Sequence, residues 1–112
     1  MKGHTRITID LDTFSPSALR FAFRELNFQL MMVQKPKKTF DELIWFRFSR
    51  KKGYHILFWM PGKLSKKDVF YIRECAGDDP KRIRKDKLRK GAPKQILFND
   101  AGKTIWKGDA WK

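Results

Sequence analysis

The chain has 112 residues, of which 41% are hydrophobic and 34% charged, and it carries a formal net charge of +14. That apolar content suits one modest core in a single domain over residues 1–112, and no apolar run approaches the roughly 20 residues that cross a bilayer. Cys75 is the lone cysteine, which excludes a disulfide framework and a cysteine-based metal site.

The stretch TRITIDL at 5–11 alternates. Ile7, Ile9 and Leu11 point to one face; Arg6, Thr8, Asp10 and Asp12 point to the other, as in a half-buried strand. A helix follows. Ser15 is placed to cap it, Pro16 fits its first turn, and Leu19, Ala22, Phe23, Leu26 and Leu30 form an apolar stripe. It breaks near Pro36. Two strands come next, LIWFRFS (43–49) and HILFWM (55–60), rich in aromatic and β-branched residues.

With Ser49 opposite His55 across the loop RKKGY, Ile44, Phe46 and Phe48 share an apolar face with Ile56 and Phe58. Trp45, Arg47, Ser49, His55, Leu57 and Trp59 fall on the other face, and a slip of one residue would mix the two sets. Ser65 with Asp68 opens a second helix in the manner of a capping box, and Gly77 stops it. DDPKRIRKDKLRKGAP reads as a short helix or an ordered loop. KQILFND (94–100) reads as a strand that turns at Asp100–Gly102 into KTIW (103–106).

The order strand, helix, strand, strand, helix, strand predicts an α+β fold of the ferredoxin-like or RRM-like βαββαβ type. Two helices pack on one face of an antiparallel sheet, and the other face is left open.

Three features of that open face carry chemistry. Asp10 and Asp12, two apart on a strand, emerge together, and paired carboxylates repel unless they share a proton or hold a cation. Oxygen ligands at this spacing suit Mg²⁺ or Mn²⁺; the alternative is a strand end with solvated aspartates. His55 falls on the same face, beside Arg47, Ser49 and the basic loop that includes Lys52, where an imidazole would donate to a phosphate. Trp45 and Trp59 are placed to stack on bases, or else to pack under a loop.

The charge of +14 is a cost to a small domain and points to a polyanion, with nucleic acid, DNA or RNA, the leading partner. The basic stretches are Lys35, Lys37 and Lys38, the 50–52 loop and the 81–90 run. No membrane partner is expected, because no helix joins a basic face to a lipid-facing stripe. MKGHTRITID lacks a signal-peptide core, so an intracellular, cytoplasmic setting is expected.

ITIDLD, followed by SRKKGYH and a later Asp, resembles the motif order of the archaeo-eukaryotic primase superfamily, whose palm is RRM-like. The resemblance spans about residues 5–103 and rests on short motifs. It implies a replication protein that performs metal-dependent nucleotidyl transfer from a nucleoside triphosphate. Asp10, Asp12 and a third carboxylate, Asp86, would hold Mg or Mn; Asp78 and Asp79 are alternatives for the third. Ser49 and His55, with Arg47 or Lys52, would hold phosphates. Trp45, Trp59, Arg89 and Lys103 would touch nucleic acid.

There are departures. The chain is shorter than a primase core, has no Cys/His zinc element, and crowds Asp86 with basic residues that would make it a salt-bridged surface group. Such a chain would work with a partner subunit, or bind nucleic acid without catalysis as a basic protein of a virus or plasmid. A rolling-circle initiator would need a histidine pair, but His4 and His55 stand apart, with Tyr71 on a helix as the available nucleophile.

Overall fold

Alternation of apolar and polar residues builds the first strand, β1 (His4–Leu11), and buries Ile7, Ile9 and Leu11 on one side. In the computed structural model, residues 3–33, 38–49, 53–88, 97–98 and 104–105 are described. Helix α1 (Pro16–Met32) starts where Ser15 accepts a hydrogen bond from the Ala18 N–H and Pro16 supplies a preset φ. Its Ala22, Leu26 and Leu30 are buried, with Leu19 and Phe23 packed beside them, as the stripe predicts.

A short helix, α2 (Phe40–Leu43), leads directly into β2 (Ile44–Ser49). The strand-and-turn pattern does not announce it, although its signal is in the sequence. Thr39 and Glu42 form a capping box in TFDE, with the Thr39 N–H donating to Glu42 Oε1 at 3.1 Å. That bond holds the Glu42 carboxyl below its ordinary pKa. β3 (Gly53–Pro61) pairs antiparallel with both β2 and β1, giving the sheet order β1-β3-β2.

The hairpin register differs from the expected one by two residues. Arg47, not Ser49, lies opposite His55, and Ser49 lies opposite Gly53. The connection is therefore the three residues 50–52, and Tyr54 belongs to the strand. Tyr54 is buried, its hydroxyl donates to the Phe14 carbonyl at 3.2 Å, and its ring meets Phe48 at 5.1 Å. A shift of two preserves the faces, because side chains alternate with period two. Ile44, Phe46 and Phe48 still share the side of Tyr54, Ile56 and Phe58.

Helix α3 (Lys66–Cys75) begins at Ser65, which accepts from the Asp68 N–H. It ends at Ala76 and Gly77, the glycine taking the φ of +88° that a helix stop favours. α1 and α3 pack on the apolar face, where Ile72 and Ala76 join Ile7, Ile9, Ile56 and Phe58 in one core cluster. The basic run forms α4 (Pro80–Lys87), capped by Asp79, whose carboxylate accepts from the Lys81 N–H at 2.9 Å. β4 (Leu97–Phe98) and β5 (Thr104–Ile105) pair with each other as a separate two-stranded ribbon.

The fold is thus α+β, with helices on one face of an antiparallel sheet. Where a fourth strand would flank β1, the α3–α4 corner occupies that edge at Thr8 and Asp10. The Asp10 N–H donates to Asp78 Oδ1 (2.8 Å) and the Asp10 carbonyl accepts from the Asp79 N–H (3.1 Å). The Thr8 carbonyl accepts from Arg82 at 3.4 Å. The expectation of an open second face is also corrected. On β1 and β3 that face is closed: Thr8 is 0% exposed, Leu57 1%, His55 3%, Trp59 7% and Asp10 8%. No helix among the described residues is long and apolar enough to cross a membrane.

Candidate functional site

The strand registers lay the polar-face residues out in cross-strand rows. Asp10, His55 and Arg47 form one row across β1, β3 and β2; Thr8, Leu57 and Trp45 form the next, and Arg6 lies opposite Trp59. Residues far apart in sequence meet in the first row, where His55 Nε2 lies 3.6 Å from Asp10 Oδ1. A low-dielectric surrounding strengthens a polar contact between imidazole and carboxylate, while burial disfavours the charged form of each. Gly53 permits this closeness. It sits at φ +143° with its Cα against the Leu11 and Thr13 backbone, at the point where β1 ends. Burial lowers the pKa of the half-buried Arg6 guanidinium.

A second buried cluster lies against the β1 edge. Arg73, fully buried, donates from Nε to Asp78 Oδ2 (2.7 Å) and from Nη1 to Asp86 Oδ2 (2.8 Å). Asp78 Oδ1 accepts from Arg82 Nη1 (2.6 Å), the Asp79 N–H (2.8 Å) and the Asp10 N–H. Arg82 Nη2 also donates to Thr8 Oγ1 at 2.8 Å. One carboxylate thereby ties α3, α4 and β1 together. Sequence reasoning missed Arg73, Arg82 and the hub role of Asp78, because ion pairs between elements leave no local periodicity.

The predicted carboxylate trio does not assemble. Asp10 is buried beside His55, and Asp12 lies exposed just beyond β1. Asp86 faces Arg73, Asp78 is saturated by its donors, and Asp79 caps α4. Among the described residues no group of three or more His, Cys, Asp or Glu could hold a metal ion. The donor set does not fit a three-carboxylate Mg or Mn site.

The remaining candidates divide. Trp59 belongs to the core cluster and offers no ring face to a base, whereas Trp45 is 38% exposed on β2. Ser49 closes β2 opposite Gly53. Lys52, Arg89 and Lys103 lie outside the described residues. The Tyr71 hydroxyl, hydrogen-bonded with Cys75, is pushed above its ordinary pKa, which disfavours its use as a nucleophile.

Helix α4 turns Ile83 and Asp86 inward and presents Lys81, Arg84, Lys85 and Lys87 outward. Lys87 reaches Glu74 at 2.8 Å. A groove of about 420 Å³ runs between α3 and α4, lined by Glu74, Asp78, Pro80, Ile83, Arg84 and Lys87. It is separate from the Asp10–His55 row.

The chain matches no family model, no curated protein and no solved structure.

Proposed function

We propose that this chain binds nucleic acid, gripping the phosphate backbone through the outer face of α4. The observation that carries the reading is the way this helix is seated. Ile83 and Asp86 anchor it inward, and Asp86 is engaged by Arg73. The acidic residue within the basic run is thus turned away from its neighbours, and Lys81, Arg84 and Lys85 face solvent one turn apart. Cations held on one rigid face suit repeated phosphates, and counterion release rewards their binding. The net charge of +14 supplies the long-range attraction.

Fluorescence anisotropy with a labelled single strand, repeated across salt concentrations, tests this. The wild type is expected to bind with a steep salt dependence. The Lys81→Gln/Arg84→Gln/Lys85→Gln variant should bind more weakly, and its log–log salt slope should flatten by about 2, since each phosphate no longer neutralised on a single strand removes roughly 0.7. An unchanged slope would remove α4 from the interface.

A second reading is metal-dependent nucleotidyl transfer, the activity that the primase resemblance implies. It is favoured by one observation, the meeting of Asp10 with His55. Asp10 and Asp12 would then hold the metal ion, and His55 and Arg47 would contact the phosphates of a nucleoside triphosphate. Isothermal titration with Mn²⁺ and a nucleoside triphosphate separates the readings. Binding by the wild type that Asp10→Asn/Asp12→Asn loses, with the variant still folded, supports transfer; no binding by either leaves the binding module alone.

A further inference from the structure

Edge strands invite pairing, and proteins commonly guard them with charges, prolines or bulges. β2 lies at the edge of its sheet, and among the described residues no strand pairs with its outer side. It carries none of the usual guards except Arg47. All six of its residues run in unbroken register with β3, so no bulge turns the edge away. Phe46 is 42% exposed and Phe48 63% exposed, both on the helix-bearing side.

The ends of the strand differ in charge. The chain enters β2 from Asp41 and Glu42, both exposed on α2, and the sequence leaves it through Arg50, Lys51 and Lys52. The Thr39 backbone N–H holds the Glu42 carboxyl below its ordinary pKa. A strand with an acidic entrance and a basic exit complements a second copy of itself run antiparallel. A parallel copy would place like charges together.

We infer that β2 pairs antiparallel with β2 of a second copy of this chain, about a two-fold axis at Phe46, merging two three-stranded sheets into one continuous sheet. The register follows from the side chains. Residues directly opposite each other must share a face, so the axis passes through a residue. An axis at Arg47 would set two arginines against each other, which is unfavourable. An axis at Phe46 pairs Phe46 with its own copy, Ile44 with Phe48, and Trp45 with Arg47, the last a cation–aromatic contact. It also brings the acidic sequence that precedes one strand, Asp41 and Glu42, to the end of the other strand at which the basic sequence begins. A symmetric interface of this kind uses the same patch on both copies. The inference is independent of the nucleic-acid reading, since a monomer would still present α4.

Sedimentation equilibrium over a dilution series decides it. The wild type is expected at twice the single-chain mass at high micromolar concentration, and Phe48→Lys at the single-chain mass. Asp41→Lys, at an exposed position, and Lys51→Asp should each weaken self-association several-fold. Their equimolar mixture should recover it, because the lysine introduced in one variant then meets the aspartate introduced in the other. If Phe48→Lys does not fold, that charge-swap pair gives the answer. A wild type that stays monomeric would overturn the inference. So would a dimer indifferent to Phe48→Lys, or one that the mixed charge variants fail to restore.

Discussion

Replacing Arg73 with leucine is expected to lower stability by about 3–5 kcal/mol, the usual cost of removing one partner of a buried ion pair. Asp78, whose side chain is 0% exposed, and Asp86, at 10%, both lose Arg73 at once. Asp78 retains Arg82, whereas Asp86 loses the guanidinium that draws it inward. Thermal unfolding should show a midpoint at least about 10 °C lower. The same measurement separates two roles for Asp86. As an ion-pair partner of Arg73, its replacement by alanine lowers the midpoint with or without added Mn²⁺. As a metal ligand, it would leave the apo midpoint nearly unchanged.

Gly53→Ala is the second large effect. A Cβ there would overlap the Leu11 and Thr13 carbonyl oxygens and lie 2.6 Å from the Thr13 nitrogen, all backbone atoms that cannot swing aside. The positive φ of +143° adds strain for any L side chain. Together these should cost about 3 kcal/mol or more. Gly62 is the control. Its φ is +98°, but nothing lies within 4 Å of the place a Cβ would take, so Gly62→Ala should cost only about 1 kcal/mol of backbone strain. Denaturant unfolding of the two variants gives the comparison. Gly53→Ala should also push the end of β1 away from β3, separating Asp10 from His55, which the His55 ring resonances would report.

Much of the fold was legible because it is written in local pattern. The period-two alternation of 5–11, the stripe from Leu19 to Leu30, and the caps Ser15 and Ser65 each settle an element within its own few residues. The faces of the hairpin were legible for the same reason, and they survived a register two residues from the one expected. The register itself was harder. Gly53 reads as a loop residue, yet it is the glycine that lets β3 begin close against the end of β1.

The site was legible only in part. Asp10 and His55 do meet, as the alternation on two strands implies. The position of Asp86 was not legible. A carboxylate in a basic run can face solvent, a metal or a distant arginine, and only the packing of α4 on α3 selects Arg73. The closure of the polar face was hidden likewise. Thr8, His55 and Trp59 read as surface by alternation, but alternation records which side a residue takes and says nothing of what covers that side.

The hydrogen bonds from the α3–α4 corner to Asp10 and Thr8 have a bearing on growth. A sheet with two available edges can add copies without limit, and fibrils arise that way. Here Asp78, Asp79 and Arg82 bond the Asp10 and Thr8 backbone on one rim, so strand-to-strand association through β2 would leave, as the other rim, an edge already engaged at these two residues. That engagement would favour termination after a single addition, and so limit edge-to-edge growth of a chain this rich in aromatics.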